Sequence, residues 1–591
     1  GGGLGGLYSS SAGDAAVDDE SAASVGDAPD DESGDAASAS GPLAGVARPH
    51  PRPRVVLISF GSYRLGVHRR DGDIDALALC PPHCTRADFF GSLVKMLKDD
   101  ERVTELHPVP GAYTPVIKFY LSGVPIDLLF ARLADGEKLR LPPLPPVPLE
   151  ILGASEEGAE GETAPVPPSL GIAPREEFEL DDANLVGLDE AGVRSLNGVR
   201  VAQRLLRLVP DLDTYRLTLR AVKEWALIRG LYSNVLGFLG GVNWAILVAW
   251  ICVRNEGALA PVCLARFMRT FSRWKWPKPV MLGPIASSPP VPGVAPLSVW
   301  NPRANPRDAA QLMPIITPCY PSMNSSYNVG QPQLRRIQQE LCRGEQIVNG
   351  IAAAGSGERG GGRKQRNAYE WEDLFAGKDF FRQHGHYLQV NIMARNAEDF
   401  RTWFGLCESR LRILIAGLES PEYGVQCYPF AKFFREKTLQ AQGADGGGED
   451  GGPHSHVTSF FVALRFAYGV ENVDLRSCTE EFLYKVNAWD DRKWGMDLTI
   501  EHRTREHLPP FVFEEDDDDC SGSEMRKTDR KTTTATVQAL RAAAEAEGTK
   551  AEDDRPDLSC ASGDGGNKSG HASSLPTNPS PHKRARKNLP G

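Results

Sequence analysis

No two cysteines in this 591-residue chain stand in a C-x-x-C pair, and the eleven that it has are scattered and odd in number. That pattern excludes a disulfide framework and fits a reduced intracellular protein. Cys80, His83 and Cys84 offer three ligand atoms, but no second pair follows at zinc spacing, so a loop after a strand is expected there. An uninterrupted apolar run is also missing. The uncharged stretch from Leu231 to Val253 comes nearest, but Asn234, Asn243 and the Gly240-Gly241 pair break it. It reads as a buried helix of about twelve residues starting near Val242, with no membrane association. There is no signal peptide, and residue 1 is Gly rather than Met, which suggests an incomplete chain.

Basic residues are absent from positions 1 to 47, which carry nine acids among Gly, Ala and Ser; residues 513 to 591 carry fifteen acids and twelve bases. The net charge of −11 therefore sits at the ends, and residues 48 to 512 come to +1. Two Gly/Pro/Glu-rich stretches within that span, 136 to 175 and 438 to 453, are each −3, so the remaining body is about +7. A mildly basic core is compatible with a nucleic-acid partner.

Composition divides the chain. Residues 1–47 bury too little apolar surface to fold and read as a disordered acidic N-terminus. Residues 48–135 alternate β-branched runs with helical stretches, and 136–180 is a Pro/Glu-rich insertion containing Pro142-Pro143-Leu144-Pro145-Pro146. Residues 181–354 are mainly helical, with periodic positions such as Val201, Leu205 and Leu208, and a flexible connector follows near 355–366. Within 367–513, Tyr387 to Met393 reads as a strand, Ala397 to Leu418 as a helix and Phe460 to Phe466 as a strand. Residues 514–591 read as a disordered tail with basic clusters at Arg526 to Lys531 and His582 to Lys587.

The chemistry concentrates in Phe60-Gly61-Ser62-Tyr63-Arg64-Leu65-Gly66-Val67, followed by Asp73-Ile74-Asp75. Strand alternation turns Asp73 and Asp75 to one side and Ile74 to the core. Gly61 permits close backbone approach, and Ser62 is expected to cap a short helix whose first amides are free for a phosphate. Asp127, in Gly123-Val124-Pro125-Ile126-Asp127-Leu128-Leu129-Phe130, is a lone charge on an aliphatic strand and needs a partner. Opposite the first pair it completes a three-carboxylate cage for two divalent cations. Taken singly, a D-x-D is usually a solvated strand end and a G-S usually a turn; together, at this spacing, they suit a metal-nucleotide.

These strings resemble the catalytic domain of the nuclear eukaryotic poly(A) polymerases, in the DNA-polymerase-beta-like nucleotidyltransferase superfamily. Ser195-Leu196-Asn197-Gly198, Arg216 to Lys223, Tyr232-Ser233-Asn234, Leu236 to Val242, Trp274 to Pro277 and Met313 to Pro318 resemble that family's central domain. Phe380-Phe381, Glu408 to Leu414 and Val473-Asp474-Leu475 resemble its RNA-binding domain. The resemblance implies a multidomain α+β fold: a nucleotidyltransferase palm with a mixed sheet, a mainly helical central domain, and a ferredoxin- or RRM-like C-terminal domain. It implies metal binding by Asp73, Asp75 and Asp127, with two Mg2+ or Mn2+ ions. It places ATP against Phe60, Gly61, Ser62, Asn197, Lys223, Tyr232, Gly241, Val242 and Thr317. The activity implied is template-independent transfer of AMP from ATP to an RNA 3′ end, by a nuclear monomer working with cleavage and polyadenylation factors. A related transferase using UTP or CTP, and an inactive RNA-binding scaffold, are the alternatives.

Overall fold

Val55 to Ile58 is β-branched and aliphatic, and it forms the first strand of a computed structural model that describes residues 55–69, 72–135, 180–355, 369–376, 380–435, 456–469, 473–513 and 531–545. The low-complexity readings for 1–47, 136–175 and 438–453, the connector at 356–366, and the basic residues at 526–530 and 582–587 lie outside the described residues.

The first unit runs β1 (Val56–Ser59), α1 (Gly61–Leu65), β2 (Ile74–Cys80), α2 (Arg86–Asp88), a π-helical turn (Phe89–Leu93), α3 (Val94–Lys98), β3 (Val103–Val109), β4 (Val116–Leu121) and β5 (Val124–Arg132). Its mixed sheet has the order β1-β2-β5-β4-β3, with β2 and β5 parallel and the other pairs antiparallel. Alternation along the strands serves both faces. Ala78, Cys80, Leu128 and Phe130 pack with Phe89 of the π turn, while Leu77, Leu79, Leu129 and Ala131 pack with Val193, Leu196 and Val199. The latter three belong to α4 (Glu190–Leu208), and further along this helix Val201, Ala202 and Leu205 enter the main core instead. One helix thus covers the carboxylate-bearing sheet and anchors it to the next layer.

That layer holds α5 (Leu212–Ile228), α6 (Gly241–Val253), α7 (Ala260–Ser272), the single turn α8 (Pro306–Ala309) and α9 (Gln331–Gly355). The apolar run expected to be buried is α6, whose neighbours include Trp225 and Phe267 around Trp244. A helix apolar on all sides belongs inside a protein of this size. Beneath α5, the guanidinium of Arg229 forks onto Glu340 of α9 at 2.7 and 2.8 Å, and Arg336 pairs with the same carboxylate. All three side chains are buried.

After two short helices, α10 (Trp371–Leu374) and α11 (Phe380–Gln383), the chain forms β6 (His386–Ala394), α12 (Ala397–Leu418), β7 (Val425–Pro429), β8 (Phe434–Arg435), β9 (His456–Phe466), α13 (Arg476–Asn487) and β10 (Asp497–Thr504). The antiparallel order β10-β6-β9-β7 is that of a split βαβ, ferredoxin-like sheet. Arg335 of α9 holds Glu419 at 2.6 Å, and Arg401 of α12 reaches Glu105 of β3 at 2.8 Å, so this domain touches both of the others.

One element departs from expectation. Residues 531–545, within the polar tail, form an additional helix, α14, with Thr536 buried and Val537 and Leu540 in the main core. Its sequence, Lys531-Thr532-Thr533-Thr534-Ala535 onward, is poor in large apolar residues; three contacts on one face, spaced at helical intervals, order it.

Among the described residues no helix is long and apolar enough to cross a membrane.

Candidate active site

Strand pairing builds the centre. The parallel register sets Asp75 of β2 beside Asp127 of β5, on the face shared with Leu77 and Leu129, and Asp73 precedes β2 by one residue. Oxygens of the three carboxylates lie within 4.8 Å of one another. Among the described residues no other trio of His, Cys, Asp or Glu gathers in this way, so Cys80, His83 and Cys84 form no such group. Burial pushes the Asp75 carboxyl up to about 7, and the charges of Asp73 and then Asp127 push in the same direction. Three acids crowded without enough positive charge fit a divalent-cation site.

Gly61 shows why the loop after β1 has its sequence. Its φ is +59°, and a Cβ there would stand 1.9 Å from Asp75 Oδ2. The backbone therefore lies against the carboxylate, as no other residue type would allow. Phe60 donates its amide to the Asp75 carbonyl at 2.9 Å, and its ring lies over Gly198, where a Cβ would meet it at 2.8 Å. Ser62 departs from its expected role. Helix α1 begins one residue earlier, Phe60 takes the N-cap position, and no side chain caps it. Ser62 lies inside the first turn, because the left-handed Gly61 already redirects the chain.

Lys223 of α5 is buried and donates Nζ to the Val67 carbonyl at 3.1 Å. Burial lowers its pKa to about 8, Arg69 adds to the effect, and Asp73 and Asp75 oppose it. Tyr232 feels the same two carboxylates: burial, then Asp73 and Asp75, push its hydroxyl up to about 12. Gly241, at the start of α6, leaves room for that hydroxyl, which a Cβ would meet at 2.8 Å, and Val242 beside it is 40% exposed. Phe60 and Gly61 thus lie against Asp75, Lys223 and Tyr232 feel the charges of Asp73 and Asp75, and Gly241 borders Tyr232, with Val242 next to it in the chain. Asn197 and Thr317 have protein partners of their own. The Asn197 side chain accepts from Arg200 at 2.6 Å, and the Thr317 hydroxyl accepts from the Met323 amide at 3.0 Å.

Two residues, Lys118 and Glu224, were not singled out from the sequence. Lys118 of β4 pairs with Asp127. The signal for it is present: Ser122 and Gly123, both at positive φ, make a two-residue hairpin turn that fixes Lys118 opposite Asp127. Arg69 bonds Glu224 at 3.2 Å beside Lys223, a tertiary contact without a local signal.

Family models match all three domains. The poly(A) polymerase nucleotidyltransferase domain covers residues 52–137 and 172–209, the poly(A) polymerase central domain 214–359, and the poly(A) polymerase predicted RNA binding domain 379–445 and 435–520. Poly(A) polymerase pla1 of Schizosaccharomyces pombe is 32% identical over 529 residues, which are 81% of this chain and 82% of that one. This chain belongs to the poly(A) polymerase family. Nuclear poly(A) polymerase 1 of Arabidopsis thaliana is 39% identical over 77% of this chain and 55% of its own length. Poly(A) polymerase of Dictyostelium discoideum is 35% identical over 78% of this chain and 50% of its own. The chain thus spans about half the length of these two relatives. A solved structure of the Cid1 poly(U) polymerase matches 55% of this chain and 86% of its own at 13% identity, with a TM-score of 0.29. The family's nucleotidyltransferase match includes α4, consistent with that helix covering the carboxylate-bearing sheet.

Proposed function

We propose that this chain adds adenylate from ATP to RNA 3′ ends without a template and releases pyrophosphate. The observation that carries the reading is the carboxylate trio of Asp73, Asp75 and Asp127, with the Gly61 backbone packed against Asp75. The RNA 3′ oxygen forms a bond to the α-phosphorus as the bond to the bridging oxygen breaks, with the two oxygens in line. Lys223 and the loop at Gly61 and Ser62 hold the triphosphate, Lys223 as the cation and the loop through backbone amides. Tyr232 and Val242 border the nucleotide. Asp73, Asp75 and Asp127 would hold two Mg2+ or Mn2+ ions. Bound there, such ions supply charge neutralisation for the attacking and leaving oxygens. Lys118 occupies an Asp127 oxygen that this binding needs, so its ammonium must move aside.

The ferredoxin-like domain grips RNA by basic and aromatic contacts without reading sequence, as untemplated synthesis requires. Nuclear residence is supported chiefly by the relatives named nuclear and, less strongly, by the basic clusters near 526–531 and 582–587. Monomeric action with cleavage and polyadenylation factors completes the reading. The test is extension of an RNA primer with each of the four nucleoside triphosphates, by wild type and Asp75→Ala. Elongation by wild type with ATP alone is expected. Equal use of UTP or CTP, or elongation undiminished in Asp75→Ala, overturns it.

A further inference from the structure

The helix α14 at residues 531–545 lies past the last residue matched by the family's RNA-binding domain, 520, and nothing in the reaction described above uses it. It is nevertheless bound at both ends and along one face. Near its start, the Thr533 hydroxyl donates to Glu224 Oε1 at 2.6 Å. Near its end, Arg541 reaches Glu372 at 2.8 Å and Glu370 at 3.2 Å, at the start of α10. Between them, Thr536, Val537 and Leu540 are buried at 6%, 4% and 0% exposure, and the two apolar side chains belong to the main core cluster. The spacing of these residues is that of one helical stripe.

The contact at Thr533 has a chemical direction. Glu224 follows Lys223 on α5, and its side chain is 4% exposed. Its second oxygen, Oε2, takes the Arg69 guanidinium at 3.2 Å. Arg69 is close enough to Lys223 and Tyr232 for its charge to lower the pKa of both. A run of side chains therefore leads from the tail to the nucleotide site: Thr533 to Glu224, Glu224 to Arg69, and Arg69 alongside Lys223.

We infer that α14 is a positioning element of the nucleotide site, holding Glu224 through Thr533 so that Arg69 and Lys223 stay presented to the triphosphate. The inference rests on the reading of Lys223 as a triphosphate ligand. With Thr533 in place, Glu224 divides its two oxygens between a neutral hydroxyl and Arg69. Without it, a buried carboxylate lacks one donor and draws more strongly on the cations next to it. Those are the cations that an incoming polyanion must recruit, so its affinity falls. The effect belongs to nucleotide binding rather than to the chemical step, because Thr533 acts on Glu224 and Glu224 on Arg69, which lies beside Lys223 rather than in the carboxylate trio.

The experiment uses the full chain with Thr533→Val, Thr533→Ser and the double change Val537→Asp with Leu540→Asp. Magnesium ATP is titrated at equilibrium, KM for ATP, KM for RNA and kcat are measured on a primer, and amide exchange across 531–545 reports docking. Thr533→Val is expected to weaken ATP about five-fold and to raise its KM equally, with kcat and the KM for RNA unchanged. Thr533→Ser restores the wild-type value. The double change gives the same loss together with fast exchange in 531–545; should it fail to fold, the Thr533 pair decides. Unchanged ATP affinity in Thr533→Val overturns the inference while leaving the function standing. A wild-type chain that binds no ATP overturns the function and the inference together.

Discussion

Replacing Asp75 with asparagine keeps the shape packed against Gly61 and removes one charge from the trio. The native carboxyl titrates near 7 against an ordinary value of 3.8, so the native state holds a proton that the unfolded chain has already released between those pH values. Stability from this group is accordingly complete below pH 4 and is lost as pH rises to about 7. The displacement corresponds to roughly 4 kcal/mol, at about 1.4 kcal/mol per pH unit. Above pH 7.5 in a chelator, Asp75→Asn is expected to melt about 5 °C or more above wild type, and at pH 4 the two should coincide. Magnesium raises the wild-type melting temperature and closes the gap, because ions that bind the native trio offset the same repulsion. Activity moves the other way, falling on the order of 1,000-fold. Thermal melting at pH 4 and 8, with and without magnesium, beside a primer-extension assay, reads all four quantities. A lower melting temperature for Asp75→Asn in chelator at pH 8, with near-normal turnover, would show a structural hydrogen-bonding aspartate and refute the reasoning.

Other perturbations test separate links. Gly61→Ala puts a methyl group where the Asp75 carboxylate stands, at a positive φ; activity should fall at least about 100-fold with a stability loss above 1 kcal/mol, read by extension and by urea titration. Lys223 titrates near 8 through burial and Arg69, so its ammonium is lost as pH rises; KM for ATP should climb above pH 8 in wild type and stay flatter in Lys223→Arg, measured between pH 6.5 and 9.5. Glu340→Gln leaves Arg229 and Arg336 buried without their shared carboxylate, and should cost about 3 to 5 kcal/mol in denaturant unfolding while leaving KM for ATP unchanged in the folded fraction. RNA affinity should drop steeply between 50 and roughly 200 mM salt in a filter-binding titration; a flat dependence would mean that stacking, not phosphate contact, holds the RNA.

The division between what the sequence revealed and what it hid follows the range of the interactions concerned. Asp73, Asp75 and the Gly61 loop lie within fifteen residues of one another, and strand alternation with a glycine turn brings them together by local geometry. Helix α6 was legible because a short, strongly apolar segment after Asn243 has to be buried wherever it goes. The β10-β6-β9-β7 order could be expected from family resemblance, since periodicity alone does not choose among pairings. Lys118 was within reach of local reasoning, because the positive-φ pair Ser122-Gly123 sets the register, but a lysine on a half-exposed strand carries no mark of its partner. Arg69 and Glu224 stand 155 positions apart, and a pair that distant leaves no pattern in a single chain. The tail helix is the furthest case. Ala and Thr give it ordinary helical propensity and almost no amphipathic signature, so its order depends on Val537 and Leu540 meeting a core that the rest of the chain has already built. A polar tail can therefore be ordered when a few apolar side chains on one face find a ready surface, and its composition alone does not separate that outcome from disorder.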